Sequence, residues 1–241
     1  MDFGIVIPCF NEYERLAFPV FEKFLNQKND ISLCFVNDGS NDKTITVLEK
    51  IRQINPKRVH IISLKKNFGK SEAVRVGMNF FSINNKIKKI AYLDADLSTS
   101  LEECCALSKK INLETKFAFA SRIKKIDNNI DRYWYRFIIG RIIATIISKI
   151  LNLSVYDTQC GCKVFNSELI PIAFGSSFVS RWLFDVEIFF RLKNHFGAEK
   201  LKYFSKETPL DSWIDLGDSK IKLSYGIVVW FDLLKIYRTY K

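Results

Sequence analysis

Five short runs of β-branched and aromatic residues punctuate the first 120 residues: Phe3–Ile7, Ile31–Val36, Val59–Leu64, Lys89–Leu93 and Lys116–Ala120. Segments with helical spacing separate them, over Glu12–Gln27, Asp42–Ile54, Lys70–Phe81 and Leu101–Asn112. Strands joined by helices of this length require right-handed crossovers, so the alternation predicts an α/β fold with a mainly parallel sheet flanked by helices. Ligands of such sheets bind beyond the carboxyl ends of the strands, where the connecting loops gather. Asn11 and Glu12 follow the first run, Asn37 and Asp38 the second, and Asp94 and Asp96 the fourth. The chain has 241 residues, 48% of them hydrophobic and 26% charged, and neither an internal repeat nor a low-complexity linker divides it. We expect one domain over 1–241, with a ligand-binding half over 1–122 and a more helical half over 123–241 that extends it on the acceptor side, at a membrane interface.

A net charge of +11 points to an anionic partner: nucleic acid, a membrane surface or a phosphorylated substrate. No RNP-type, KH or helix-turn-helix signature accompanies it, so nucleic acid is not expected. Six cysteines stand without a CxxC pair and with only His60 and His195 to assist, so zinc is not expected and free intracellular thiols are. No stretch reaches the ~18 uncharged apolar residues of a membrane-spanning helix. Arg141 and Lys149 interrupt the best candidate, and Asp232 the C-terminal one.

Asp94-Ala95-Asp96 directly follows an apolar run. Carboxylates at i and i+2 of an extended chain lie on one side, so both can face a hard cation such as Mg2+ or Mn2+. The bland alternative is a solvated turn with Asx-type hydrogen bonds; the position after a buried strand favours the cation. Asp38 ends a strand, where its carboxylate can accept the imide N–H of a base or a ribose hydroxyl, and Gly39 permits a sharp turn. Phe68-Gly69-Lys70-Ser71 is not a Walker A loop, because Leu64 stands where the first glycine is needed. Lys70 at a helix start still suits a phosphate.

Taken in order, Ile7-Pro8-Cys9-Phe10-Asn11-Glu12, Asn37-Asp38-Gly39-Ser40, Gly69-Lys70 and Asp94-Ala95-Asp96 resemble the family 2 glycosyltransferases of GT-A fold. Three further segments resemble the branch of dolichyl-phosphate β-glucosyltransferases and bacterial polyprenyl-phosphate relatives. They are Asp157-Thr158-Gln159-Cys160-Gly161-Cys162-Lys163, Arg181-Trp182-Leu183-Phe184-Asp185-Val186-Glu187, and Trp213-Ile214-Asp215 with Gly217-Asp218-Ser219-Lys220.

The resemblance implies a Rossmann-like GT-A sheet with a helical, membrane-facing acceptor-side extension. It implies an inverting, metal-dependent transfer of a hexose, glucose from UDP-glucose, onto a polyprenyl or dolichyl phosphate. Pro8, Phe10, Glu12, Val36, Asp38, Lys70, Asp94 and Ala95 would then hold the nucleotide-sugar. Asp96, with Asp94, would bind Mg2+ or Mn2+. Arg122, Arg136, Gln159, Lys163, Trp182 and Lys220 would serve the acceptor phosphate, and Asp185 would line the reaction cleft. Ser98 departs from the mannose-transferring relatives, which carry Gln there. An alternative remains open: transfer to a saccharide hydroxyl, which needs a base, for which Asp185 or Glu187 would stand.

Projected at 100° per residue, residues 137–153 place Ile139, Ile142, Ile143, Ile146, Ile147, Ile150 and Leu153 within an arc of about 140°, opposite Arg141 and Asn152. The aromatic-basic cluster Arg132-Tyr133-Trp134-Tyr135-Arg136-Phe137 precedes it. Such a helix suits the bilayer interface, which predicts a peripheral protein on the cytoplasmic face of a membrane, with a membrane-anchoring partner or a second copy assisting.

Overall fold

Continuous buried strands carry the site, as the alternation above predicts for a mainly parallel sheet. The computed structural model describes residues 2–131, 133–214 and 225–241, without the side chains of Arg136 and residues 225–228. In chain order the first half comprises β1 (Phe3–Cys9), α1 (Phe18–Gln27), β2 (Ile31–Asn37), α2 (Thr44–Ile54), β3 (Val59–Ser63), α3 (Lys70–Ser82), β4 (Lys89–Leu93), α4 (Leu101–Ser108) and β5 (Phe117–Ser121). The second half adds β6 (Asn129–Asp131), α5 (Trp134–Leu151), β7 (Cys162–Asn166), α6 (Ile170–Phe174), α7 (Phe184–Phe196), α8 (Ala198–Phe204), β8 (Ser205–Pro209), β9 (Ser212–Ile214) and α9 (Tyr225–Tyr240).

Among the described residues, seven strands form one sheet in the order β3-β2-β1-β4-β7-β5-β8, and β6 pairs with β9 in a small second one. Within the large sheet only β7 runs antiparallel to its neighbours. The chain winds outward from β1 through β2 to β3, then returns to place β4 on the other side of β1. The topological switch point therefore lies between β1 and β4, the crevice in which open α/β sheets bind ligands.

Alternate residues of the central strands feed two cores. Ile5 and Ile7 pack with Phe35, Phe21, Phe24 and Leu48 under α1, α2 and α4. Val6, Val36 and Tyr92 pack on the other face with Met78, Phe117, Phe165, Phe174 and Phe189. Phe117 and Phe165 stack at 4.7 Å. Each such fully buried aromatic contributes about 2 kcal/mol of transfer free energy.

Two boundaries depart from the sequence expectation in ways that matter for the site. α1 begins at Phe18 rather than Glu12, because Pro19 is suited to the first helical turn and the residues before it close a separate turn. In that turn the amides of Arg15 and Leu16 both donate to the Glu12 carbonyl. Arg15 is thereby left on a loop above the strand ends. α5 begins at Trp134 and is apolar on more than one side in its first turns. Ile147 and Leu151 are buried, and Ile143, Ile146 and Ile150 pack against the core, while Trp134, Ile138, Ile139 and Ile142 are exposed. The single apolar face projected over 137–153 is thus divided, with its C-terminal part in the core.

Candidate active site

The loops after β1 and β4 meet at the switch point and bring four charged side chains together. β4 ends at Leu93, so Asp94 and Asp96 emerge at the sheet edge. The turn is closed by the Leu97 amide on the Asp94 carbonyl (3.2 Å) and by the Ser98 amide on Asp96 Oδ1 (3.0 Å). Leu97 takes a left-handed φ of 54° to make it.

Each aspartate has its own cation. Lys70 Nζ lies 2.6 Å from Asp94 Oδ1, and Arg15 Nη2 lies 3.3 Å from Asp96 Oδ2. Arg15 Nε is also 3.6 Å from Glu12 Oε2. Burial acts to lower the Lys70 pKa, but the carboxylates of Asp94, Asp185 and Asp96 outweigh it and hold the ammonium above its usual range. Asp94 is pinned from behind as well. Its amide donates to the Gly161 carbonyl, and a Cβ on Gly161 would stand 2.1 Å from Asp94 Oδ2.

The other side chains expected at this site differ in how far the protein encloses them. Asp38 is only 2% exposed, and its oxygens accept the Phe68 and Gly69 amides, each at 2.8 Å. It ties down the loop that delivers Lys70. Burial raises its pKa against the lowering effect of those amides and Arg181. Val36 is a core side chain and Ala95 is buried; Pro8 and Phe10 are half-buried on the β1 edge and Glu12 is nearly buried.

Lys163 and Asp185 require the largest correction. Both were expected to serve the cleft, yet Lys163 is fully buried, with Nζ donating to the Cys160 carbonyl (2.8 Å) and to Asp185. Asp185, in the first turn of α7, also accepts from the Tyr92 hydroxyl. The reason is topological: β7 lies between β4 and β5 in mid-sheet with both faces covered, so its lysine finds its partner inside the protein. Glu187 is likewise buried, accepting from the amides of Val179 and Ser180 and the Tyr240 hydroxyl. Both acids are engaged with partners inside the protein, and the Asp185 carboxylate also acts on the Lys70 ammonium.

Arg122 lies close enough to Asp94 to feel its charge. Its Nε and Nη2 meet Asp157 Oδ2 and Oδ1 at 2.7 and 2.9 Å, and its guanidinium sits 5.3 Å from the Trp213 ring. Burial would raise the Asp157 pKa, but the Arg122 guanidinium and the Arg122 and Gln159 amides hold it well below the carboxylate range. Gln159 and Trp182 are half-buried, with Lys70 Nζ 5.6 Å from the Trp182 ring. Lys220, Arg132 and the Arg136 side chain, with the tail from Asp215 to Lys220, lie outside the described residues. Arg15 was missed because the segment from Glu12 reads as helix; Pro19 was the available signal that it is not. All six cysteines are free thiols.

Residues 4–171 match the family model of glycosyl transferase family 2. The chain belongs to that family. Among its relatives is the human dolichyl-phosphate beta-glucosyltransferase, 30% identical over 254 residues that cover 94% of this chain and 76% of the human one. The Trichomonas vaginalis dolichyl-phosphate beta-glucosyltransferase is 27% identical over 246 residues, covering 96% and 69%. In three dimensions the chain is similar to Mycobacterium tuberculosis glucosyl-3-phosphoglycerate synthase, crystallised with Mn2+, uridine diphosphate and phosphoglyceric acid. The TM-score is 0.69, with 12% identity over 98% of this chain and 78% of that one. The fold is GT-A, and this glycosyltransferase places Asp94 and Asp96 at its switch point.

Proposed function

We propose that the protein transfers glucose from UDP-glucose to the phosphate of a dolichyl or other polyprenyl phosphate, with inversion at the anomeric carbon. The observation that carries this reading is the engagement of both candidate bases, Asp185 and Glu187, inside the protein. A saccharide hydroxyl needs a base; a phosphomonoester, with a second pKa near ~6, is already an anion at neutral pH. The names of the curated relatives support the same acceptor class.

Asp96 and Asp94 fit a divalent cation. Among the described residues no cluster of three His, Cys, Asp or Glu exists, so the two carboxylates would fill only part of a coordination shell. A hard cation such as Mg2+ or Mn2+, completed by water and diphosphate oxygens, suits such a donor set. The chemistry it supplies is neutralisation of charge on the departing nucleoside diphosphate. Pro8, Phe10 and Glu12 would flank the nucleotide. Lys70, paired with Asp94, would orient the donor. Arg122, held rigid by Asp157, would offer positive charge on the acceptor side with Gln159 and Trp182.

The exposed aromatic and isoleucine side chains at the start of α5 would rest in the bilayer interface, aided by Trp230, Phe231 and Leu234 of α9, which are also exposed. Among the described residues no helix is long and apolar enough to cross a membrane. The +11 charge suits the anionic cytoplasmic leaflet.

The test is transfer of label from a panel of radiolabelled nucleotide-sugars to polyprenyl phosphate in vesicles. Label from UDP-glucose should enter the organic phase, and chelator should stop it. Label appearing only on a water-soluble saccharide would overturn the acceptor assignment.

A further inference from the structure

Asp94 and Asp96 are held unequally. Lys70 meets Asp94 at 2.6 Å, with Gly161 closing the space behind it. Arg15 meets Asp96 at 3.3 Å and Glu12 at 3.6 Å, both longer than the ~2.7–2.9 Å of a tight charge-assisted hydrogen bond. The Arg15 and Asp96 side chains remain 26% and 27% exposed, whereas Glu12 is 10% exposed. The backbone of Arg15 is fixed by the turn onto the Glu12 carbonyl, and Leu16 beside it is buried, so any displacement of the guanidinium falls to the partly exposed side chain. Glu12, Asp96 and Arg15 together carry one net negative charge. A divalent cation alone would turn that into a net positive cluster with a guanidinium beside it; a cation arriving with a diphosphate would not.

We propose that Arg15 is a displaceable counter-cation of the donor site. It neutralises Asp96 and Glu12 when no donor is bound, and it releases Asp96 to a divalent cation as it turns to the incoming diphosphate. Cation and nucleotide therefore bind together, and the cation binds poorly alone. This rests on the reading of Asp96 as a cation ligand.

The experiment measures free Mn2+ by electron paramagnetic resonance during titration of the protein, with Mn2+ alone and with UDP present. It uses the native sequence, Arg15→Gln, Arg15→Lys and Asp96→Asn. Arg15→Gln should tighten Mn2+ binding in the absence of nucleotide by about tenfold or more, the size expected for removing a like charge a few ångströms from a bound cation in partly solvated surroundings. Arg15→Lys, which keeps the charge, should stay within a few-fold of the native protein, and Arg15→Gln should bind UDP more weakly. Unchanged or weaker binding of Mn2+ alone by Arg15→Gln overturns the proposal, including the case in which Mn2+ binds only with UDP in both proteins. Failure of Mn2+ to bind the native protein even with UDP, or its undiminished binding to Asp96→Asn, would instead overturn the role of Asp96.

Discussion

Gly161→Ala offers a sharp test of how the site is held, because the glycine is required there by contact and not by backbone conformation. Its φ lies outside the left-handed region, which Gly39, Gly69 and Gly197 occupy. A methyl group at Gly161 would meet Asp94 Oδ2 at 2.1 Å, Cγ at 2.4 Å and Oδ1 at 2.8 Å. Ordinary contact begins near 3.4 Å, so the carboxylate must retreat by more than 1 Å. It can do so only by leaving Lys70 Nζ, now at 2.6 Å, or by pulling β4 from β7, where Leu93 faces Cys162. A displacement of that size at a reacting centre costs about 10²-fold in rate, equivalent to about 2.7 kcal/mol of transition-state stabilisation. Overpacking of a tight contact costs about 1–3 kcal/mol of stability. Transfer of glucose label to polyprenyl phosphate gives the first quantity and denaturant unfolding the second. A variant with native kcat and native stability would show that Asp94 is not wedged between Gly161 and Lys70, and the geometry of the site would have to be redrawn.

Other perturbations separate packing from chemistry. Lys163→Met should destabilise the protein by about 3–5 kcal/mol, since it strands Asp185 without its buried cation, and the added change Asp185→Leu should recover part of that loss in urea unfolding. Ile138→Glu with Ile142→Glu should weaken flotation with anionic vesicles by about 10²-fold at unchanged thermal stability, whereas Ile143→Glu with Ile146→Glu should unfold the protein at lower denaturant, because those side chains pack on the core. Asp157→Asn should cost stability at pH 7. Asp157 has a depressed folded pKa, so its contribution is complete above the unfolded value near ~3.9 and is lost as pH falls below it; the difference from the native protein should be constant above about pH 5 and shrink below about 4. A difference that grew on acidification would contradict the Arg122 pairing.

Much of the fold was legible because the strands of its parallel half are buried on both faces and therefore read as continuous apolar runs. Ile31–Asn37 and Lys89–Leu93 are examples, and the acids that follow such runs stand at the sheet edge by necessity. Asp94 and Asp96 could be placed for that reason. Lys163 could not: a lone lysine in a short strand carries no mark of burial, and its partner Asp185 lies 22 residues away on a helix not yet packed. Arg15 was hidden by a helical spacing that Pro19 cuts short. The single apolar face projected over 137–153 could not show that Ile139 and Ile142 stay exposed while Ile147 is buried, because periodicity reports a face and not what covers it.

The most direct measurement is anomalous diffraction from crystals soaked with Mn2+ and UDP-glucose. A manganese peak beside Asp96, bridging it to the diphosphate, is the expected result. A peak away from the Asp94–Asp96 turn, or nucleotide bound there at full occupancy with no manganese, would contradict a cation-assisted donor site at the β1–β4 switch point.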